Sequence, residues 1–166
     1  MKKEVINPFA TSELRIPEES WNDVRKFTST FKPEEGAEPD LDRAPFRRYV
    51  DLWWAGLLIG INEGKRVENP PGGWHKFIDG VVLGTDPWRV FQLQLLGMAW
   101  KGDSSILAEP NRIIGIANEY AAHGIHVLLG VMVGQTEPVW PLGKELRERC
   151  TKVEGSVAAP AVPEEA

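Results

Sequence analysis

One cysteine and three histidines among 166 residues leave little material for thiol or metal chemistry. With Cys150 alone the chain cannot close an internal disulfide, which suits a reducing compartment. No histidine neighbours Cys150 in sequence to activate its thiolate, so it reads as a half-buried spectator near the end of a helix. Long hydrophobic runs are missing as well. The apolar stretches stop well short of the roughly 20 residues a membrane span requires, and the residues after Lys2 and Lys3 form no apolar core of the kind a secretory leader needs. The expectation is a cytoplasmic protein with no membrane partner.

Positive charge is also in short supply. The net charge is −5 and the pI about 5.3, which argues against coating nucleic acid through bulk charge. The distribution is uneven, however. Residues 43–76 carry Arg43, Arg47, Arg48, Lys65, Arg66 and Lys76 against only Asp51, Glu63 and Glu68, and flanking segments are acidic. Those six cations are the surface that a direct DNA-binding reading would use. The lysine and hydroxyl of a phosphate-binding loop are absent, since the glycines from Gly56 to Gly64 lie in a helical stretch with no strand before it. Asp79 and Asp86 have no basic partner nearby in sequence, which leaves a paired-carboxylate site without support. Glu119, His123 and His126 share one helical face at metal-ligand spacing, but a zinc site also needs a polar second shell. The plainer reading is a solvated edge, with Glu119 pairing to His123 one turn on. No metal, cofactor or catalytic residue is assigned.

What the sequence does contain is apolar residues at helical spacing. Phe46–Ile61, Pro87–Trp100 and Pro110–Val133 predict an all-α fold, a compact single-domain bundle of about five helices. The expected organisation is a flexible arm over 1–15, a helical domain over 16–152 and a disordered acidic tail over 153–166. A first helix of about four turns is expected to open at Ile16-Pro17-Glu18-Glu19 and bury Trp21, Val24 and Phe27. Lys32 to Asp42 reads as an exposed connection. Ala44-Pro45 is expected to start the second and central helix, where Gly56, Gly60 and Gly64 recur every four residues. Each interior glycine costs about 1 kcal/mol relative to alanine, so that stripe must serve packing or function, in an intramolecular crossing or a homodimer.

Lys65 to Gly73, with consecutive prolines and glycines, is an internal loop, and Trp74 to Leu83 reads as either a short helix or an extended piece. Asp86-Pro87 starts a third helix ending near Gly102; Asp103 caps a single turn; Glu109-Pro110 starts a long helix that either continues past Gly124, the favoured reading because a lone strand would lack a partner, or ends there and leaves residues 125–133 as a strand. A last amphipathic helix spans Leu142–Lys152. Seven tryptophans are many for this length. Most belong in a core, but Trp74 beside His75 and Lys76 follows the Pro/Gly loop and is the candidate for an exposed partner-binding patch.

Pro45-Phe46-Arg47-Arg48-Tyr49-Val50-Asp51 leading to Ala55-Gly56 and Ile59-Gly60, then the Gly102-Asp103 and Ile106-Leu107 turn, then Ile116 to Ile125 with its Glu119-Tyr120-Ala121 and Gly124, resembles the Dnd system-associated proteins encoded near DNA phosphorothioation genes. The resemblance covers residues 43–130 and carries over no active-site residue. It implies an accessory or adaptor subunit in bacterial DNA modification and anti-phage defence, working by protein contacts with other members of that assembly. The alternative is direct DNA binding through the basic residues of 43–76.

Overall fold

The computed structural model of the chain describes residues 6–28 and 42–156, with no account of the side chains from 152 on. The elements are β1 (Glu13–Pro17), α1 (Trp21–Lys26), α2 (Tyr49–Glu63), β2 (Trp74–Asp79), α3 (Pro87–Lys101), α4 (Pro110–Met132) and α5 (Val139–Ser156). The fold is a mostly helical bundle with one small antiparallel sheet, β1 against β2, among the described residues.

Helix α4 opens with Pro110 in its first turn and buries Ile113, Ile114, Ala117, Ala121, Ile125, Leu128 and Met132 at spacings of three and four. It runs through Gly124 as expected, because that glycine belongs to a helix crossing. A Cβ on Gly124 would overlap the carbonyl of Gly56, and one on Gly60 would overlap the carbonyl of Tyr120. One on Gly56 would sit 2.9 Å from the Ala121 carbonyl oxygen and 2.8 Å from the Ile125 side chain. The glycine stripe of α2 therefore serves an intramolecular crossing onto α4. Gly64 is separate from it: with φ +63° it ends α2 in the left-handed region, its N–H donating to Ile61 O at 3.0 Å.

The start of α2 differs from expectation. Residues 44–48 stay out of the helix, with Arg48 extended and the Phe46 N–H donating to Phe27 O at 3.2 Å. The pairing of this segment with the end of α1 outcompetes the helix start at Pro45. Upstream, the expected four-turn helix reduces to the six residues of α1. Leu14 and Ile16 alternate inward as a strand requires, at 0% and 1% exposure, while Ile16 pairs with His75 and Pro17 with Trp74. This also settles Trp74 to Asp79 as extended and Gly80–Thr85 as a short 3₁₀ segment. The expected flexible arm is corrected for residues 6–15: Phe9 is fully buried and Asn7 Nδ2 donates to Gly80 O at 2.9 Å. Residues 1–5 of that arm lie outside the described residues, as does the expected connection apart from Asp42.

The outer edge of β1 is held by a side chain. Asn118, in the middle of α4 and 5% exposed, accepts from the Arg15 N–H at 3.0 Å and donates to the Glu13 carbonyl at 3.0 Å. Its carboxamide thus replaces one residue of a neighbouring strand. The same Asn118 oxygen accepts from Trp53 Nε1 at 3.1 Å, so one buried amide joins β1, α2 and α4.

Asp86 precedes Pro87 as expected but makes no capping bond; Arg48 takes it at 2.8 Å instead. Asp103 does cap its turn, accepting from the Ser105 N–H at 2.7 Å. Helix α5 is longer than expected and carries Cys150 exposed. Residues 153–156, expected in the tail, continue this helix, and 157–166 lie outside the described residues.

Two substitutions test this frame. Gly124→Ala is expected to lower the unfolding free energy by about 3 kcal/mol, since backbone must move to admit the methyl, whereas Gly115→Ala, with no atom within 4 Å of the added carbon, should raise it by up to about 1 kcal/mol. Urea unfolding measures both. Asn118→Leu leaves the Trp53 N–H buried without an acceptor and should cost about 3 kcal/mol; amide exchange at Arg15 should accelerate in the same variant.

Candidate docking surface

Trp74, His75 and Lys76, the expected contact patch, sit on β2 and are largely engaged. The His75 ring stacks on Trp21 with centroids 4.3 Å apart, and its Nδ1 lies 3.1 Å from Glu18 Oε2. Lys76 Nζ pairs with Asp79 at 2.7 Å and Glu13 at 3.3 Å. Trp74 is half-buried at the Pro17 end of the strand pair. His75 thus joins the sheet to α1, while Lys76 stays exposed beside its carboxylates.

The six basic residues of 43–76 meet carboxylates or other partners. Arg48 binds Asp51 and Asp86, each at 2.8 Å; Arg66 binds Glu68 at 2.9 Å; Lys65 lies 3.7 Å from Glu63. Arg43 and Arg47 also have partners. Arg89, which sequence reasoning passed over, joins this group from α3 and is 93% buried by side chain. Its Nη2 donates to Asp51 at 2.7 Å, and its guanidinium lies 5.3 Å from the Trp54 ring centroid and 5.0 Å from that of Trp88. Burial raises the Asp51 carboxyl, but the hydrogen bonds from Arg48 and Arg89 outweigh that and hold it below its ordinary range.

Glu119, His123 and His126 do not converge. His123 Nε2 lies 2.7 Å from Glu63 Oε2 on α2, and Arg149 of α5 reaches the other oxygen of Glu63 at 2.6 Å. The expected pairing of His123 with Glu119 is thereby corrected: Glu63 on the crossing helix is closer than the residue one turn back. Glu119 has Arg66 Nη1 at 3.3 Å, misaligned for a hydrogen bond, and burial pushes its carboxyl up. His126 is exposed on a different surface, in the wall of a groove shared with Glu19 and Asp23. Among the described residues no set of three histidine, cysteine or acidic side chains is placed to hold a metal ion.

The most conspicuous exposed feature is one the sequence analysis did not single out. Trp88, Phe91 and Leu95 of α3 are 47%, 54% and 60% exposed. With Gln92 and Ala99 they fall within about a 100° arc of the helix. Arg89 is buried, so no charged side chain interrupts this face before Lys101. The opposite side of α3 carries Val90, Leu93 and Gly97, and a Cβ on Gly97 would sit 2.8 Å from the Ile113 side chain, which would have to shift to admit it. Sequence alone could not choose the outward face of a helix apolar on both sides, although Gly97 marked the inward one.

Two grooves flank α4. One of about 390 Å³ is polar and lies beside β1, with Thr11, Ser12, Asn111 and Gly115 in its walls. The other, of about 370 Å³, lies between the Glu19–Asp23 segment and the end of α4, lined by Glu19, Ser20, Asp23, His126, Leu129 and Gly130 together with Val133. No family model, no curated protein and no solved structure matches the chain.

The Glu63 cluster ties α5 to the α2–α4 crossing and makes stability depend on pH. Hydrogen bonds, first with His123 and then with Arg149, lower the Glu63 carboxyl from 4.5 to about 2. A depressed acid contributes stability that is full above the unfolded value of 4.5 and lost as pH falls through about 2. Glu63→Gln should therefore be less stable than the parent at pH 7, with the two thermal midpoints converging as pH is lowered across that window. Midpoints that stay apart at the acid end would contradict this assignment.

Proposed function

We propose that this chain is a non-enzymatic docking subunit, acting in the cytoplasm by protein contacts within a bacterial DNA-modification or anti-phage defence assembly. The observation that carries the docking half is the uncharged apolar face of α3. An exposed apolar face with aromatic anchors is the usual core of a protein interface, where a few large side chains supply most of the binding energy. Because the face holds no charge, its fitting occupant is an apolar helix or sheet face of another protein rather than a phosphate backbone. The assembly half rests on the resemblance over residues 43–130.

The alternative, direct DNA binding, would draw on Arg43, Arg47, Arg48, Lys65, Arg66 and Lys76. Phosphate binding gains much of its free energy by releasing condensed counterions from DNA as cations neutralise it. Here Arg48, Lys65, Arg66 and Lys76 are already paired with carboxylates of the same chain, so this reading has the weaker support.

Affinity capture of the tagged chain from its native host tests the proposal. Partners should survive nuclease treatment of the lysate and fall by about tenfold or more with the double substitution Phe91→Glu, Leu95→Glu. Both sites are exposed, so the urea midpoint should be nearly unchanged. Partners that disappear with the nucleic acid, or that the double variant retains in full, would overturn the proposal.

A further inference from the structure

The polar groove between β1 and α4 is closed at each end by a side chain that ties strand to helix. Ser12, 2% exposed, donates from Oγ to Asn111 Oδ1 at 2.7 Å, and Asn118, 5% exposed, accepts from the Arg15 N–H at 3.0 Å. The step from Ser12 to Arg15 along a strand and that from Asn111 to Asn118 along a helix are each about 10 Å, so the two walls keep step. Gly115 stands midway on the helical wall, where glycine is unfavourable, yet no atom lies within 4 Å of the place its Cβ would occupy. Gly124 of the same helix shows the contrast, since there the backbone of α2 fills that space. Asn118 has also used only one of its two N–H groups. With Oδ1 on the Arg15 N–H and one N–H on the Glu13 carbonyl, the planar carboxamide directs its second N–H away from Arg15, along the groove toward Ser12. That N–H meets no acceptor among the described residues. At the other end Ser12 Oγ keeps its lone pairs and Asn111 Nδ2 keeps both its N–H groups.

We propose that this groove binds an extended peptide segment of a partner protein as a short strand beside β1. Asn118 already bonds Glu13 and Arg15 as a strand residue would, so a peptide lying in the groove continues a ladder that its carboxamide begins. A peptide carbonyl accepts from the second Asn118 N–H, a following N–H donates to Ser12 Oγ, and a further carbonyl accepts from Asn111 Nδ2. Charge points the same way. Arg15 pairs with Glu13, and Lys76 with Glu13 and Asp79, so these four charges cancel and leave no counter-charge for an ion. A neutral chain of alternating donors and acceptors suits such walls better than a phosphate or an ammonium, whose desolvation nothing here would offset. Gly115 leaves room for the peptide side chain that faces α4, and Ile114 adds apolar surface beneath it. The proposal rests on the docking reading and gives the same class of partner a second contact that shares no residue with the α3 face.

The test is an NMR titration of the full chain with the capped tripeptide acetyl-Thr-Val-Thr-amide, with its analogue N-methylated along the backbone, and with adenosine. Saturable shifts are expected with the peptide at the backbone amides of Ser12 and Gly115 and at the side-chain amides of Asn111 and Asn118. N-methylation, which removes the peptide's donors, should weaken binding about fivefold or more. Gly115→Leu should abolish it by filling the groove. Gly115→Ala should weaken it in a chain whose urea midpoint has risen, which separates occupancy of the groove from unfolding. No saturable shift, equal shifts with the N-methylated analogue, or shifts that survive Gly115→Leu would overturn the proposal. Tighter binding of adenosine than of the peptide would also overturn it, in favour of a nucleobase read by the two asparagine amides. Peptide shifts in a chain whose partners ignore the α3 double variant would retain the groove and reject the α3 face; full capture through α3 without those shifts would reject the groove alone.

Discussion

Backbone approach at the α2–α4 crossing is the constraint on which the rest of the structure depends. Gly56, Gly60 and Gly124 let the two helices approach until carbonyls of one occupy the space side chains would take on the other. Those glycines cost helix stability in isolation, and burial of Leu52, Trp53, Leu57, Ile113, Ala117 and Ile125 around the crossing offsets that cost. Close approach also brings polar groups into range. Trp53 reaches Asn118, Glu63 reaches His123, and the Val67 N–H donates to the Glu119 carbonyl at 2.9 Å. A wider crossing would leave each of these groups looking for water.

Asn118 and Glu63 extend that constraint outward in opposite directions. Asn118 uses its amide to hold the edge of β1, which fixes the sheet and, through Pro17 and the Glu18–Ser20 turn, the position of α1. Glu63 fixes α5 through Arg149, which also bonds Glu145 at 2.8 Å. The small sheet is thus an attachment of the helical pair. It would not be stable alone, since an isolated two-stranded sheet is marginal in water.

Helix positions and their glycines were legible because they rest on local rules: proline in the first turn of α3 and α4, a left-handed glycine at 102, the Asp103 cap and the spacing of apolar residues. The β1–β2 pair was not, because its partners lie about 60 residues apart and no local pattern distinguishes Leu14 and Ile16 from the start of a helix. Pro17 looked like a first-turn proline and instead closes a strand, immediately before the chain turns at Glu18–Ser20. The same non-local pairing sets Trp74 against Pro17, stacks His75 on Trp21 and pairs Lys76 with Glu13, contacts that no local pattern announces. For His123 the sequence contained the right kind of partner, an acid, but the wrong one, because helix crossing outranks helix spacing once two backbones touch.

The distribution of charge then bears on which surface remains for a partner. The chain's cationic segment folds against carboxylates of its own and neighbouring elements, giving neutral clusters such as Arg48, Arg89, Asp51 and Asp86. The exposed pairs of the segment, such as Arg66 with Glu68, add little to stability, typically under about 1 kcal/mol each, yet they change what the surface offers, since a partner must compete with an existing carboxylate for Arg48, Lys65, Arg66 and Lys76. The α3 face has no such competitor. Arg89 turns inward between Trp54 and Trp88, which removes the one charge that would have interrupted the apolar ridge and props the Trp88 ring at its end. With Arg89 buried, the outer face of α3 stays uncharged, as the proposed contact with another apolar surface requires, and the same residue connects that face to the α2–α4 crossing through Asp51.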